Sequence, residues 1–286
     1  MRVGYTSVAG SDDIDMHVLP LNFDDSARRG FTGAGTIAAL ATRGGDELTR
    51  RCPRLAAMLP GLRAALAAHR AEGASVHIRL DHLDADELGL LADILGEGEV
   101  TGIVALPDRR VAQIQESVFA GLWRVRIEGE DGALDYLELG AIPEIAARAA
   151  LDFPRPDIEI GEAPSGAMNV MPVLAEIRER MAAHRPGDAP HIINFTLLPM
   201  NPADMAHLTA TLGNGPIQLY SRGYGSCRVL ATGARHVWSV QYLNAMDTPI
   251  LDTIEVGDVP AAVRAADEDF HDSAERLGEI IAAYFA

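Results

Sequence analysis

Hydrophobic and polar positions along the chain follow one succession of elements twice. Between residues 55 and 150, the pattern predicts a helix, a strand, a second helix, about four strands joined by short turns, and a closing helix. The same succession returns between residues 170 and 267, at an offset of 115 to 117 positions. We infer an internal duplication, which predicts two repeats of similar fold.

Matching residue types support this alignment. The first helix of each repeat has one apolar face, formed by Met58, Leu59, Leu62 and Leu66 in one repeat and by Val173, Leu174, Ile177 and Met181 in the other. The following strand alternates apolar residues, at Val76, Ile78 and Leu80 and at Ile193, Phe195 and Leu197. Trp123 aligns with Trp238 in a later strand.

The second helix of each repeat has recognisable start and stop signals. Asp84 with Glu87 three positions later is typical of a capped helix start, as is Asn201 before a proline. Gly96 and Gly213 stand where the same helices are expected to end. Such local agreement predicts matching helices in the two repeats.

The combined pattern predicts an α+β protein of two tandem-duplicated lobes, each a mostly antiparallel sheet packed with helices. We expect a loop-rich N-terminal segment over residues 1–45, a degenerate first repeat over 46–155 and a second repeat over 165–286. A proline-rich linker near residues 153–156 separates the repeats.

Charge and composition exclude several classes of partner. Acidic residues outnumber basic ones by 41 to 24, so the net charge of -17 repels nucleic acid and anionic membranes. No apolar run approaches the roughly 20 residues of a membrane span, and the first residues lack the apolar core of an export signal. We therefore expect no membrane insertion and a cytoplasmic location.

The sequence contains no recognisable catalytic, cofactor or metal signature. All 24 basic residues are arginine, which excludes mechanisms that need a lysine amine. Residues 33–38 resemble part of a dinucleotide-binding glycine motif but lack the preceding buried strand. His77 and His82 lie near Asp84, a group best interpreted as a helix cap with surface histidines. We predict no cofactor, no metal and no enzymatic activity.

Differences between the repeats indicate where a specific function resides, because packing residues are needed in both and functional residues in only one. Residues 105–113 are replaced in the second repeat by residues 220–228, which add glycines and place Cys227 between Arg222 and Arg228. These guanidiniums are expected to lower the pKa of a nearby thiol. The alternative is a bulged strand that carries a small buried cysteine.

The second repeat also has a longer hairpin loop, at residues 244–249, where the first has residues 129–132. Adjacent strands carry this hairpin and the loop at residues 222–228, so we expect the two to lie near each other. A longer, specific loop is more often a recognition element. Together they predict a partner-binding surface on the second repeat.

Three segments resemble the HupH/HyaF family of hydrogenase expression and formation proteins: residues 194–200 (NFTLLPM), 221–228 (SRGYGSCR) and 247–256 (DTPILDTIEV). The resemblance implies a cytoplasmic accessory protein for uptake nickel–iron hydrogenases. Its implied client is the precursor of the small subunit, which carries iron–sulfur clusters and a twin-arginine export signal. A thioredoxin-like chaperone is a further implied partner.

Residue by residue, the family's distinctive positions are here Arg222, Gly223, Tyr224, Gly225, Cys227, Arg228, Trp238, Asp247, Asp252 and Glu255. Our leading hypothesis is a non-catalytic maturation chaperone that uses these residues to bind the precursor. The alternative is a thiol-dependent redox or transfer activity centred on Cys227. Transient iron–sulfur carriage ranks last, since one cysteine per repeat cannot supply four thiolates.

Overall fold

The computed structural model describes residues 45–129, 133–223 and 225–285. The predicted segment 1–45 therefore lies outside the described residues except for its last position. The α-helices of the described part are α1 (Gly45–Arg51), α2 (Pro53–Ala68), α3 (Ala85–Leu95), α4 (Glu144–Asp152), α5 (Val170–Ala183), α6 (Pro202–Leu212) and α7 (Asp267–Tyr284). The β-strands are β1 (Val76–Arg79), β2 (Val100–Ala105), β3 (Val111–Glu116), β4 (Leu122–Ile127), β5 (Leu134–Leu139), β6 (His191–Asn194), β7 (Asn214–Ser221), β8 (Ser226–Thr232), β9 (Val237–Leu243) and β10 (Pro249–Val256).

Both repeats have the predicted order of elements. The first contains α2, β1, α3, four strands and α4, and the second contains α5, β6, α6, four strands and α7. The α+β class and the tandem duplication are confirmed. One detail differs, because the chain after Pro260 forms only a 3-10 turn at Ala261–Val263 before α7 begins.

The predicted helix starts and stops are also confirmed. The Asp84 side chain accepts a hydrogen bond from the backbone N–H of Glu87, whose carboxylate accepts one from the backbone N–H of Asp84. Asn201 and Asp204 form the same reciprocal pair at the start of α6. At the C-terminal ends, Gly96 and Gly213 have φ angles of 54° and 68°, which glycine adopts without steric cost.

All ten strands belong to one antiparallel sheet in the order β1-β5-β4-β3-β2-β7-β8-β9-β10-β6. Each repeat supplies five neighbouring strands, and the two halves join where β2 pairs with β7. The central pair at this junction is Gly102 with Leu219, which are 117 positions apart and therefore equivalent in the two repeats. The junction thus has the self-complementary geometry of a two-fold interface.

Helices cover the two faces of the sheet in different places. On one face, α4 packs over the middle strands, where Trp123, Val125, Trp238 and Val240 share a core cluster with Ala146. We call the opposite side of these middle strands, β2–β4 and β7–β9, the open face. Within the described part of the chain, most side chains on this face are half-buried or exposed, including exposed Gln113, Arg126 and Arg228, whereas Leu122 and Thr232 at its margins are buried.

The outer strands carry the remaining helices. Leu137 and Leu139 of β5 pack in a cluster with residues of α1, α2, α3 and α7. Ile254 and Val256 of β10 pack against α5 and α6. Since α7 belongs to the second repeat but buries Phe270 in the cluster of the first, the two repeats share their cores. Among the described residues, no helix is long and apolar enough to cross a membrane.

Candidate partner-binding site

The segments that differ most between the repeats converge at one end of the second half of the sheet. Ser226 at the start of β8 pairs with Leu243 at the end of β9, so the turn at residues 222–225 lies beside the turn at residues 244–248. The backbone N–H of Phe195 donates to the carbonyl oxygen of Asp252 at 2.9 Å, which brings residues 194–200 to the same end. The predicted proximity of the loop and the hairpin is confirmed.

The turn between β7 and β8 is fastened to the first repeat. The backbone N–H of Arg222 donates to the carbonyl oxygen of Glu99 at 2.9 Å. A Cβ atom at Gly223 would meet the Glu99 carboxylate, which is the end of a flexible side chain and would have to shift. Gly225 has a φ angle of 110°, which a residue with a side chain rarely adopts. Gly225 therefore has a structural reason to be glycine, and Tyr224 lies outside the described residues.

The turn between β9 and β10 is organised by one asparagine. The Asn244 side-chain oxygen accepts hydrogen bonds from the backbone N–H groups of Met246 at 2.9 Å and Thr248 at 3.0 Å. Asp247 has a left-handed φ of 54°, a conformation that aspartate tolerates better than most residues. These contacts hold the turn in shape while the Met246 side chain stays 81% exposed.

Exposed apolar side chains lie on the turn after β9 and on the segments that hydrogen bonds connect to this end of the sheet. The four most exposed large hydrophobic side chains of the described residues are Leu197 (82%), Met246 (81%), Met168 (76%) and Ile250 (61%). Met168 joins this region through its neighbour Asn169, whose side-chain amide donates to the carbonyl oxygen of Pro199 at 2.7 Å. We call these four residues the apolar patch. A patch of this kind is typical of a surface that binds another protein.

The exposure of Leu197 corrects the sequence analysis. The predicted alternating strand ends at Asn194, and the chain then turns, because the backbone N–H groups of Leu197 and Leu198 both donate to the carbonyl oxygen of Asn194. Leu80, the equivalent residue of the first repeat, is only 4% exposed. The apolar side chain is thus buried in one repeat and presented to solvent in the other.

Two of the family positions lie on the open face. Arg228 pairs with Gln241 across β8 and β9, and Gln241 pairs with Asp252 across β9 and β10. Arg228 is exposed, whereas burial raises the pKa of the Asp252 carboxyl against the opposing effect of its hydrogen bond to Gln241. The three side chains form a polar row that leads from the middle of the sheet towards the apolar patch.

Three other family positions, Cys227, Trp238 and Glu255, are buried on the face of the sheet that α4 covers. Trp238 and Glu255 face each other across β9 and β10 and are 3% and 9% exposed. Trp123 and Glu138 form the same pair in the first repeat. Since both repeats keep this pair, Trp238 and Glu255 serve the fold and do not distinguish the second repeat.

Cys227 is a buried thiol, and the expectation that the nearby guanidiniums lower its pKa is wrong. The Cys227 side chain is on the covered face with Val229, whereas Arg228 points to the open face. Burial, reinforced by the charge of Glu255 and opposed by a hydrogen bond from Tyr242, raises the pKa of the Cys227 thiol to about 11. The buried cysteine of the alternative is confirmed, but the bulge is not at this position, because β8 pairs regularly at Cys227 and the register shift lies in β7 between Asn214 and Gln218.

A simple chemical test follows for Cys227. With a pKa of about 11, only about 0.1% of the thiol is ionised at pH 8, and the thiolate is the reactive form. We expect alkylation of the native protein at pH 8 to be at least 100-fold slower than alkylation of the protein in denaturant, as followed by mass spectrometry. Rapid modification of Cys227 in the native protein would contradict its buried, unreactive state.

The acidic group near His77 functions as the sequence analysis predicts. Asp84 caps α3, and His77 on β1 is half-exposed with its Nε2 atom 3.5 Å from the Glu138 carboxylate. His82 is exposed. The interpretation as a helix cap with surface histidines is confirmed.

Comparison with known proteins gives the family. The family model described as HupH hydrogenase expression protein, C-terminal conserved region, matches twice, at residues 55–162 and 167–284. The protein named "Hydrogenase expression/formation protein HupH" from Rhizobium leguminosarum bv. viciae is 47% identical over 100% of both chains. "Hydrogenase-1 operon protein HyaF" from Escherichia coli (strain K12) is 36% identical over 82% of each chain. A solved structure, "Hydrogenase expression protein HupH from Thiobacillus denitrificans ATCC 25259", has 26% identity and a TM-score of 0.38, covering 41% of this chain and 98% of that one.

The two matches of the family model agree with the duplication read from the sequence. Each match spans one repeat, and the relatives from Rhizobium and Escherichia extend the similarity over most or all of the chain. The resemblance inferred from three short segments is therefore confirmed. The chain belongs to the HupH/HyaF family of hydrogenase expression and formation proteins.

Proposed function

We propose that this chain is a maturation chaperone for a nickel–iron hydrogenase. Its relatives are named for the expression and formation of hydrogenases. In the proposal, the chain binds the small-subunit precursor in the cytoplasm, before twin-arginine export, until the iron–sulfur clusters are installed. A thioredoxin-like chaperone is a second proposed partner.

The apolar patch is the observation that carries the proposal. Leu197 and Met246 are each more than 80% exposed. In the first repeat, by contrast, Leu80, the equivalent of Leu197, is buried. A chaperone needs exposed apolar side chains to bind a client that has not finished folding. Methionine suits such a role because its flexible side chain adapts to different surfaces.

Charge supports the choice of client. The net charge of -17 favours association with a basic segment, and a twin-arginine signal is basic. The first turn of α7 adds three consecutive acidic residues, Asp267, Glu268 and Asp269. Arg222, beside the apolar patch, is exposed and has its guanidinium 5.5 Å from the Tyr220 ring centre, and a guanidinium can bind a carboxylate through two hydrogen bonds.

The thiol-dependent alternative has less support. A reactive thiol needs exposure and a lowered pKa, whereas Cys227 is 3% exposed and its pKa is raised. Cys52 is likewise buried, in a different core cluster, and burial raises its pKa. The two thiols therefore offer no shared site for an iron–sulfur cluster.

The role of Arg222 can be tested with a conservative change. Arg222→Lys keeps the charge but loses the planar fork that binds a carboxylate through two hydrogen bonds. We expect the affinity for the purified small-subunit precursor to fall about 3- to 10-fold, which corresponds to about one kcal/mol of binding free energy. Binding curves are measured at one salt concentration, because exposed charge pairs are screened.

Arg109→Lys is the matched control for this experiment. Arg109 lies in the turn between β2 and β3, which is the equivalent of the turn that carries Arg222. The control should bind the precursor as the unmodified chain does. Equal losses in both variants, or no loss with Arg222→Lys, would remove Arg222 from the proposed site.

A further inference from the structure

Two histidines and an aspartate meet at the far end of the second repeat, away from the apolar patch. His184 follows α5, His236 lies in the turn between β8 and β9, and Asp258 follows β10. The Nε2 atom of His184 is 3.0 Å from the Asp258 carboxylate, and the two imidazole ring centres are 4.5 Å apart. One potential ligand atom from each residue lies within 4.8 Å of the other two.

The first repeat lacks this group although it keeps the surrounding fold. At the equivalent positions it has His69, Gly121 and Ala141. The local backbone is otherwise the same: Gly140 N–H donates to the carbonyl oxygen of Gly121 at 3.0 Å, as Gly257 N–H donates to that of His236 at 2.8 Å. The second repeat has therefore gained two potential ligands on an unchanged scaffold.

The backbone of His236 makes this gain notable. Gly121 has a φ angle of 80°, and His236 keeps the same left-handed conformation with a φ of 64°. Few residues with a side chain adopt this conformation, although histidine does so more often than most, and such residues concentrate at functional sites. In the first repeat a side chain at Gly121 would collide with the Phe270 ring, whereas the imidazole of His236 faces His184.

A cavity of about 300 Å³ adjoins the group. His236 and Asp258 line it together with Trp238 and with Arg264, and residues of the first repeat such as Glu144 complete its wall. The second oxygen of Asp258 accepts a hydrogen bond from the backbone N–H of Gly187 at 2.7 Å, which orients the carboxylate. The side chain of His184 is only 4% exposed.

We propose that His184, His236 and Asp258 bind one divalent transition-metal ion of the zinc class, with an open coordination position towards the cavity. Two imidazoles and a carboxylate are a ligand set that suits such ions, whereas calcium and magnesium prefer oxygen ligands alone. Bonds of about 2.0–2.2 Å require ligand atoms about 3.3–3.6 Å apart, so side-chain rotations of the two histidines close the site. Three protein ligands leave the fourth position for water or another ligand.

Metal titration of the full-length, untagged chain tests the site. After removal of metal by chelation, we expect one Zn²⁺ per chain to bind, measured by competition with a coloured chelator, and Co²⁺ to give a visible absorption band at the same stoichiometry. His236→Gly restores the residue that the first repeat has at this position and relieves the left-handed conformation, so the fold should persist. This variant should bind Zn²⁺ on the order of 100-fold more weakly or worse.

Asp258→Ala, again the residue of the first repeat, should give the same loss, and His271→Ala is the control. His271 is on α7 and its side chain is 70% exposed, so its removal should leave the affinity unchanged. Zn²⁺ should also raise the melting temperature of the unmodified chain but not that of His236→Gly. Absence of stoichiometric binding, or equal affinity in His236→Gly, would overturn the proposal. Precursor binding should survive in His236→Gly, so this proposal and the chaperone proposal can fail separately.

Discussion

Replacing both Leu197 and Met246 with aspartate is expected to weaken binding of the small-subunit precursor by about 100-fold or more. Each side chain is over 80% exposed in the free chain and would be buried in the complex. Burial of one such side chain contributes about 1.5–3 kcal/mol, and 1.4 kcal/mol is a tenfold change in affinity. Because neither side chain packs in the core, the variant should unfold at the same denaturant concentration as the unmodified chain.

A double variant in the first repeat provides the control. Leu134 and Phe153 are also exposed hydrophobic residues, at 55% and 44%, but lie outside the apolar patch. Replacing both with aspartate should leave the affinity for the precursor within about twofold, as expected for residues outside an interface. The patch would be refuted as the client site if this control lost as much affinity as the Leu197 and Met246 variant, or if that variant bound normally.

Glu87→Gln is expected to cost about 2–4 kcal/mol of unfolding free energy. The fully buried carboxylate accepts hydrogen bonds from the backbone N–H groups of Asp84 at 3.2 Å and Arg54 at 2.9 Å, and so joins the starts of α2 and α3. The guanidinium of Arg54 adds a further hydrogen bond at 2.8 Å. Asp204, its equivalent in the second repeat, joins α5 and α6 through the N–H groups of Val170 and Asn201.

Denaturant unfolding measures this loss. Glu72→Gln is the control, because Glu72 also pairs with an arginine, Arg264, at 3.0 Å but is 88% exposed. An exposed ion pair contributes at most about 1 kcal/mol. Similar stabilities of Glu87→Gln and Glu72→Gln would contradict the role of Glu87 as a link between two helices.

The contribution of Glu87 to the free energy of unfolding is also expected to depend on pH. Burial opposes its ionisation, but the hydrogen bonds from Asp84, Arg54 and Leu55 and the charge of Arg54 outweigh it, so the pKa of Glu87 is lowered. Its contribution to stability is therefore complete above the unfolded pKa of about 4.3 and is lost as pH falls through the lower folded pKa. The difference between the unmodified chain and Glu87→Gln should shrink in acid, and a constant difference would contradict this account.

Local signals explain why so much of the fold is predictable from the sequence. The Asp84 and Asn201 caps, the terminal glycines and the apolar helix faces all act within a few residues, and the duplication presents each signal twice. The joining of β2 to β7 is not predictable in this way, because any exposed strand edge offers the same backbone groups. The packing of α7 on the first repeat likewise depends on contacts between residues that are far apart in the sequence.

The proximity of the two turns was predictable, whereas the surroundings of the side chains near them were not. The order of the strands alone places the turn before Cys227 beside the turn that contains Met246. The alternating pattern predicted that Leu197 is buried in a strand. This prediction was wrong because backbone hydrogen bonds form the turn after Asn194, and the hydrophobic pattern of the sequence does not reveal them. The predicted lowering of the Cys227 pKa was wrong because side chains that are neighbours in sequence point to opposite faces of a strand. Cys227 and Arg228 therefore lie on opposite faces of β8.

The histidine and aspartate group escaped the sequence analysis, which predicted no metal site. Its members are 52 and 22 positions apart, far from any short metal-binding motif. A comparison of the two repeats could have revealed the group, because the second repeat has His236 and Asp258 where the first has Gly121 and Ala141. His236 lies in the turn between β8 and β9 and Asp258 just after β10, both outside the loops at residues 222–228 and 244–249.

We propose that the apolar patch of the second repeat binds the hydrogenase small-subunit precursor. The most direct test of this proposal is site-specific photo-crosslinking in hydrogenase-producing cells, with a photoreactive phenylalanine analogue placed at Met246 or, in a matched strain, at Leu134. Both positions are exposed, so incorporation should not disturb the fold. We predict a crosslinked product that contains the small subunit with its export signal from position 246 and none from position 134. Absence of that product at position 246, or equal capture at position 134, would contradict the account.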